Sequence, residues 1–140
     1  MVNRIKTAEQ FIHILPHAKA LGMRLESLSN GTAVMTMPYA PELIGDPATG
    51  VIHGGAVSAL LDTSCGAAVM SHPRCPARTA TIDLRVEYLR SAVPGQQITT
   101  RATCYHVTRS VAFVRAEATD EDQKGPVAMA TGTFTIEAGQ

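Results

Sequence analysis

The sequence predicts an α+β fold in which an antiparallel β-sheet wraps around one long central α-helix. Residues 53–71 contain no proline, are rich in alanine and leucine, and are long enough for about five helical turns. Residues 81–89 alternate apolar and polar side chains with the period of two that is typical of a strand with one buried face. Further strand-like segments follow as far as the C-terminus, so the strands cluster around a single long helix.

A short helix and a hairpin are predicted at the start of the chain. Residues 7–15 form an amphipathic pattern, and Pro16 should end or kink that helix. Residues 23–38 alternate like two strands around Asn30-Gly31, which is a strong signal for a two-residue hairpin turn.

A loop and the long helix follow the hairpin. Residues 38–50 contain three prolines and two glycines and are expected to form a loop. Apolar residues then occupy nearly every side of the helix predicted at 53–71, and such a helix is usually buried. Asp62 is the only charged residue in it.

The rest of the chain has the pattern of antiparallel strands separated by short turns. Four segments have strand patterns: residues 81–89, 98–108, 111–119 and 127–137. The chain shows no internal repeat and no linker-like stretch. Residues 1–140 are therefore expected to form one domain, with residues 1–20 as an N-terminal helical segment.

Composition excludes several classes of protein. The 12 basic and 12 acidic residues give no net charge, which argues against a general nucleic-acid binder. No apolar run reaches the roughly 20 residues of a membrane span, and the N-terminus lacks a secretory apolar segment. The three cysteines cannot all pair and lack metal-ligand spacing, so we expect a reduced, cytoplasmic protein with no metal.

The sequence His53-Gly54-Gly55 opens the long helix and is the first candidate site. The two glycines leave backbone N–H groups accessible at a helix N-terminus, which carries about half a positive charge. Such a terminus can hold an anion or a developing oxyanion. Alternatively, the glycines only permit a tight turn from loop to helix.

Asp62 is the second candidate, because we expect it to be buried within an apolar helix. A carboxylate there needs a partner, a raised pKa or a water-filled cavity, and each is compatible with a general base or a nucleophile. The alternative is a structural aspartate that is hydrogen-bonded to a neighbouring strand.

Helix geometry limits how the two candidates can cooperate. Asp62 follows Gly54 by eight residues, which is about 12 Å along a helix. An attacking group must come within about 3–3.5 Å of the carbonyl that it attacks. One chain cannot meet both demands, whereas two antiparallel copies of the helix related by a two-fold axis could. A catalytic site built from these residues would therefore be shared between subunits.

The chain resembles the hotdog-fold acyl-CoA thioesterases of the phenylacetate-degradation (PaaI) type. Four segments carry the resemblance: GVIHGG at residues 50–55, LLD at 60–62, ATIDL at 80–84 and YLR at 88–90. The likeness runs from about residue 20 to residue 136, and the order of elements matches. It implies a hotdog-fold homodimer or homotetramer with active sites at each dimer interface and no cofactor.

The resemblance also implies roles for individual residues. The Gly54 N–H, beside Gly55, would polarise the thioester carbonyl, and Asp62 of the partner chain would act as general base or nucleophile. Thr81 lies where the family often has a Ser or Thr that holds the water or the carboxylate. His53 matches the motif histidine, which orients the loop or acts directly.

Gly55 and three further residues are candidates for substrate binding. Many relatives have an Asn or Gln before the HGG motif, whereas this chain has Asp46, which cannot donate a hydrogen bond when ionised. Asp46 could instead hold water or belong to a structural loop. Arg90 and Arg109 match positions where relatives often contact CoA; alternatively, each is a solvated surface residue.

The expected activity is hydrolysis of an acyl-CoA thioester. A first alternative is a hotdog-fold hydratase or dehydratase of enoyl or hydroxyacyl thioesters, but here the acid follows HGG at thioesterase spacing. A second is a non-catalytic acyl-thioester-binding protein, which the unusual Asp46 leaves open. The sequence does not specify the acyl group.

Overall fold

The computed structural model describes residues 13–74, 76–122 and 124–137. Its elements are α1 (Pro16–Ala20), β1 (Arg24–Ser29), β2 (Thr32–Met37), a 3-10 helix (Pro41–Leu43), β3 (Ile44–Asp46), β4 (Val51–Ile52), α2 (Gly54–Met70), β5 (Thr81–Tyr88), β6 (Ile98–Val107), β7 (Val111–Thr119) and β8 (Ala128–Thr135).

Six of the strands form one antiparallel sheet in the order β1-β2-β6-β7-β8-β5. Helix α2 packs across its inner face, and many inner side chains of the central strands are small. These small buried residues are Ala33, Ala102, Ala112, Ala116, Ala118, Ala128 and Ala130. Because alanine leaves room for the backbone of a helix to approach, α2 lies close against the sheet. The predicted α+β architecture is confirmed.

The hairpin β1–β2 is confirmed together with its turn. Asn30 and Gly31 have φ angles of +45° and +90°. Two consecutive positive φ angles are the signature of the type I′ turn that matches the twist of paired strands. The Gly31 N–H also donates to Ser71 Oγ at 2.9 Å, which ties this turn to the end of α2.

Pro16 separates two helical segments at the N-terminus. His13 and Ile14 are helical, Leu15 is extended, and Pro16 occupies the first turn of α1. The predicted helix at residues 7–15 therefore stops before the proline, which then starts a new helix because its fixed φ suits a first turn. The remainder of that predicted helix lies outside the described residues.

Residues 38–50 are not only a loop, as the composition suggested. They contain the 3-10 helix and β3, which pairs with β4 in a small separate sheet. The segment is tied to the start of α2 by the His53 N–H, which donates at 2.8 Å to Leu43 O at the end of the 3-10 helix. Gly45 permits the approach, since a Cβ there would lie 2.7 Å from the Cα of His53. Strands of two or three residues are too short to show a period of two.

Helix α2 confirms the helix predicted at residues 53–71, with one difference in burial. Leu60, Leu61 and Cys65 are fully buried against the sheet. One stripe of the helix is instead half-buried or exposed in the single chain. We call it the α2 stripe; it consists of Gly55, Ser58, Ala59, Asp62, Thr63, Gly66 and Met70. The expectation that α2 is buried on all sides is therefore wrong for this chain taken alone.

The four later strands agree with the prediction to within two residues at each end. Strand β5 differs in burial, because its expected dry face is covered only at Leu84 and Val86, which are half-buried against the core. Ile82 is 55% exposed and Tyr88 is 52% exposed. The reason is topological: β5 is the edge of the sheet, and β8 is the only described strand that pairs with it.

Burial in this core should make the Cys65 thiol unreactive. Burial raises its pKa from about 9.0 to about 12, with the charges of Asp62 and Cys104 adding to the shift. Because the thiolate is the reactive form, a Cys75→Ser variant should not react with Ellman's reagent at pH 8 while folded. In urea, Cys65 and Cys104 should both react.

The same shift has a consequence for stability. The folded state holds the Cys65 proton more tightly than the unfolded state does. The contribution of this group to the free energy of unfolding should therefore not change with pH below about pH 9, and it should fall as the pH rises towards 12.

In the labelling experiment, rapid reaction of the folded Cys75→Ser variant at pH 8, at the rate of a free thiol, would contradict this account of the core.

Candidate functional site

The N-terminus of α2 is capped by the side chain of the residue that precedes it. His53 Nδ1 accepts a hydrogen bond of 2.8 Å from the Gly55 N–H, and the His53 carbonyl accepts from Ala56 N at 3.0 Å. No described residue accepts from the Gly54 N–H. This donor therefore remains available at the positive end of the helix dipole.

Each glycine of the motif leaves room for a close neighbour, and neither is needed for an unusual backbone conformation. Both residues lie in the helix, and neither has a positive φ. A Cβ on Gly55 would lie 2.9 Å from His53 Nδ1, and a Cβ on Gly54 would lie 3.3 Å from the ring of Tyr88. The glycines thus permit the histidine cap on one side and an aromatic wall on the other. They do more than allow a tight turn.

Tyr88 and Ser58 belong to this site and were not among the sequence candidates. The Tyr88 hydroxyl donates to Gly54 O at 2.7 Å and also contacts Ser58 Oγ. A signal existed for Ser58: it lies four residues after Gly54 and so shares its face of the helix. Tyr88 stands in the YLR segment, but alternation alone assigned it to an apolar face.

Asp62 is half-buried rather than buried, and it has a partner on β5. Thr81 Oγ1 donates to Asp62 Oδ1 at 2.7 Å. Oδ2 accepts no hydrogen bond from a described residue, so it remains available to a water molecule. The expectation of full burial is wrong because Asp62 lies on the α2 stripe, which the described residues cover only in part.

The two halves of the site line different clefts of the chain. Gly54 and Tyr88 line a cleft of about 400 Å³. Asp62 and Thr81 line another of about 160 Å³. The other residues of the larger cleft are Val51, Ile52, Val57, Leu89, Arg90, Ser91, Ala92 and Val127. One chain therefore does not bring the Gly54 N–H and the Asp62 carboxylate to one substrate carbonyl, as their separation along the helix predicted.

Comparison with known proteins gives the family of the chain. A model of the thioesterase superfamily matches residues 49–127. The chain is also 30% identical to the medium/long-chain acyl-CoA thioesterase YigI of Salmonella typhimurium, over 91% of this chain and 90% of that protein. The chain belongs to the thioesterase superfamily. The predicted class, a thioester hydrolase, is thereby confirmed.

Solved structures of thioesterases and related proteins have the same fold. A protein from Pseudomonas aeruginosa is 33% identical, with a TM-score of 0.83 over 94% of this chain and 98% of that one. The Escherichia coli PaaI protein from the phenylacetic acid degradation operon has a TM-score of 0.87 over 99% of this chain and 96% of its own, at 24% identity. The hotdog fold is confirmed. The likeness to the PaaI type is confirmed by a mutant of the phenylacetic acid degradation protein PaaI from Thermus thermophilus, which is 28% identical, with a TM-score of 0.77 over 87% of this chain and 99% of that one.

The carboxylate of Asp46 is hydrogen-bonded within its own loop in this thioesterase. Its Oδ1 accepts from Ala48 N at 3.0 Å, and its Oδ2 accepts from Thr49 Oγ1 at 2.8 Å. Its carbonyl accepts from Gly50 N at 2.8 Å. The carboxylate thus closes an Asx-type turn before the HGG motif. Of the alternatives for Asp46, this geometry favours the structural loop.

Arg90 holds a neighbouring loop in place. Its two terminal nitrogens form a bidentate ion pair with Asp120, at 2.7 and 2.8 Å, and one also donates to Gly125 O at 2.9 Å. The hydrogen bond to Asp120 raises the pKa of Arg90 above its ordinary value. In this arrangement the guanidinium supports the wall of the larger cleft, and its contact with CoA stays a prediction.

Arg109 lies near the C-terminal end of α2, far from Arg90. It is exposed in the turn between β6 and β7. The adjacent Thr108 carbonyl accepts a hydrogen bond from Arg74, just beyond the C-terminal end of the helix. Arg90 instead lines the cleft at the N-terminal end of the helix. The two candidate CoA contacts therefore lie at opposite ends of α2 in one chain.

The described residues contain neither a metal-binding cluster nor a membrane-spanning helix. Within residues 13–74, 76–122 and 124–137, no group of three or more His, Cys, Asp or Glu side chains is placed to hold a metal ion. None of the helices in those ranges is long and apolar enough to cross a membrane.

The histidine cap can be tested by its steric relation to Gly55. We expect Gly55→Ala to displace the imidazole and cost about 1 kcal/mol of stability, as the loss of a helix cap typically does. His53→Ala should cost a similar amount. The double variant should be no less stable than His53→Ala, because the new methyl group then has room. Urea unfolding measures all three; additive losses would contradict the geometry.

Proposed function

We propose that the protein hydrolyses acyl-CoA thioesters in an active site shared by two antiparallel chains. The observation that carries this proposal is the separation of Gly54 and Asp62 into two clefts on one rigid helix. A second chain related by a two-fold axis would bring its own Asp62 beside this Gly54, and the reverse, which creates two equal sites.

The surface available for such pairing is the α2 stripe together with the edge of β5. The stripe is only half-covered, and β5 has one edge without a partner strand among the described residues. Ile82 on this edge is 55% exposed. An exposed apolar side chain on an unpaired edge favours association. A homodimer, or a homotetramer built from two such dimers, would cover both features.

Chemistry in the shared site follows from the N-terminus of one helix and from Asp62 in the middle of the other. The thioester oxygen would accept a hydrogen bond from the Gly54 N–H, which stabilises the negative charge that develops when the carbonyl carbon is attacked. Asp62, held through Oδ1 by Thr81, would take a proton from the attacking water through Oδ2 or attack the carbon itself. When water attacks, collapse of the intermediate breaks the carbon–sulfur bond and releases the acid, and the leaving CoA thiolate takes up the proton that Asp62 received. When Asp62 attacks, the same bond breaks and CoA leaves, and water then hydrolyses the mixed anhydride to the acid and free Asp62.

The supporting groups have roles consistent with hydrolysis rather than hydration. A hydratase pairs a histidine with an acid near the acyl chain, whereas the Nδ1 atom of His53 is used to cap the helix. The relative YigI is named a medium/long-chain acyl-CoA thioesterase. We therefore propose acyl-CoA as the substrate, with the acyl chain in the apolar part of the larger cleft.

Antiparallel pairing would also bring the two candidate CoA contacts, Arg90 of one chain and Arg109 of the other, towards the same end of the shared site. With Asp62 of one α2 beside Gly54 of the other, the C-terminal end of the first helix would extend about 12 Å beyond the N-terminus of the second. The partner's Arg109 would therefore lie towards the end of the site where Arg90 lies. A CoA molecule with its phosphates at that mouth would then meet cationic groups from both chains.

Removal of the carboxylate is the first test. We expect Asp62→Asn to lower kcat for thiol release from acyl-CoA by about 100-fold or more, because the amide can keep the Thr81 contact but cannot accept the proton. Glu117→Gln, which changes a carboxylate on the outer face of the sheet, is the matched control. Hydrolysis by Asp62→Asn at the wild-type rate would refute the proposed role.

Subunit mixing tests whether the site is shared. Gly54→Pro removes the N–H at a helix position that tolerates proline, and Gly54→Ala controls for the added Cβ beside Tyr88. Gly54→Pro and Asp62→Asn chains, each inactive alone, should regain about a quarter of wild-type activity when refolded together. Half of the random dimers are then mixed, and each holds one intact site.

A second mixture distinguishes shared sites from sites confined to one chain. Wild-type chains refolded with an equal amount of the Gly54→Pro/Asp62→Asn double variant should keep about a quarter of the activity if sites are shared, because every mixed dimer has two broken sites. Sites confined to one chain would keep about half. A mixture of the single variants that stays inactive would contradict the shared site.

A further inference from the structure

Tyr88 and Ser58 form a hydrogen-bonded chain with the first peptide groups of α2. The Tyr88 hydroxyl lies 2.7 Å from Gly54 O, and a carbonyl oxygen can only accept. The single proton of Tyr88 is therefore used on Gly54. The contact between Ser58 Oγ and Tyr88 must then have Ser58 as the donor. The donor of each bond thus follows from the one proton of the Tyr88 hydroxyl and from the inability of a carbonyl oxygen to donate.

The chain continues through the backbone to His53. The Gly54 carbonyl and the Gly55 N–H belong to one planar peptide group. That N–H donates to His53 Nδ1 at 2.8 Å. Donors and acceptors thus run in one direction, from the Ser58 hydroxyl to Tyr88, through the Gly54–Gly55 peptide, and into the imidazole. Hydrogen bonds that follow one another in this way polarise and strengthen each other.

Two properties of the site depend on this chain. An Nδ1 atom that accepts a hydrogen bond carries no proton, so neutral His53 must hold its proton on Nε2. In addition, the Gly54 N–H shares a planar peptide group with the His53 carbonyl, which accepts from Ala56 N at 3.0 Å, so this peptide is held on one side of Gly54. Glycine is the most flexible residue of the backbone, and the bonds to the Gly54–Gly55 peptide restrict it on the other side, which limits further the direction in which the Gly54 N–H points.

We propose that Tyr88, supported by Ser58, is a positioning residue that fixes the direction of the Gly54 N–H and the tautomer of His53. The proposal rests on the hydrolysis proposed above, since it is the thioester oxygen that this N–H would meet. Tyr88 also forms the wall of the larger cleft beside Gly54. The hydroxyl would direct the Gly54 N–H, whereas the ring lines the cleft, so a variant that removes the hydroxyl and keeps the ring tests the first role alone.

Tyr88→Phe removes the hydroxyl and keeps the ring. Because a donor that is present but poorly directed loses part of its effect on the transition state, we expect kcat for acyl-CoA hydrolysis to fall about tenfold. The KM and the thermal midpoint should stay within error of the wild type. A ring that only fills space would leave kcat unchanged in this variant. Tyr105→Phe is the matched control, because Tyr105 is 49% exposed and lies under Arg115 on the outer face of the sheet.

Ser58→Ala tests the order of the chain. It should lower kcat less than Tyr88→Phe, because the bond from Tyr88 to Gly54 O remains. The double variant should match Tyr88→Phe alone, since Ser58 acts only through the tyrosine hydroxyl. If the two reductions in kcat multiplied in the double variant, Ser58 would not act through Tyr88 and the proposal would be contradicted. A Tyr88→Phe enzyme with wild-type kcat would contradict it as well.

The histidine tautomer gives a readout that does not depend on turnover. In protein labelled with ¹⁵N-histidine, the His53 signals, assigned by their loss in His53→Ala, should show the Nε2–H tautomer. Tyr88→Phe should shift them towards a mixture of tautomers. If the wild-type protein hydrolysed no acyl-CoA, the proposed function would fail. The tautomer measurement would still show whether Tyr88 is hydrogen-bonded through the Gly54–Gly55 peptide to His53. Unchanged His53 signals in Tyr88→Phe would overturn the proposal.

Discussion

The stiffness of one α-helix is the constraint on which the rest of this structure depends. Helix α2 places a free N–H at its first residue and a carboxylate eight residues later, about 12 Å away. No side-chain rotation closes that distance. The helix is itself held firmly, because alanines on the sheet let it pack closely and Ser64 contacts Thr100 within the core. A rigid support of this kind positions each group well but prevents one chain from uniting them.

Strand β5 is the second support, and it contacts α2 at both functional positions. Thr81 at its start donates to Asp62, and Tyr88 at its end donates to Gly54 O. The strand thus orients the carboxylate and the helix N-terminus together. It is also the edge of the sheet, where no described strand pairs with its outer side. The same elements that orient the candidate catalytic groups therefore border the surface through which we propose that a second chain completes the site.

The motif residues illustrate how packing converts sequence patterns into specific roles. Gly55 leaves room for the imidazole of His53, and Gly54 leaves room for the ring of Tyr88. Asp46 occupies a position where many relatives have a donor, yet its oxygens close a turn of its own loop. Arg90 pairs with Asp120 rather than pointing freely into solvent. Each of these roles depends on a neighbour that is distant in sequence, except for the histidine cap and the Asp46 turn.

The sequence by itself determined the α+β class, the long helix, the Asn30-Gly31 turn and the later strands, because each depends on local periodicity or on backbone conformations that few residues adopt. It also placed Gly54 and Asp62 too far apart for one chain, since helix rise is fixed. Only the tertiary structure showed the partners of Arg90, the Tyr88–Gly54 contact and the half-exposed position of Asp62. These arise where β5 and the loops meet α2, and contacts between segments far apart along the chain leave no periodic signal in a single sequence.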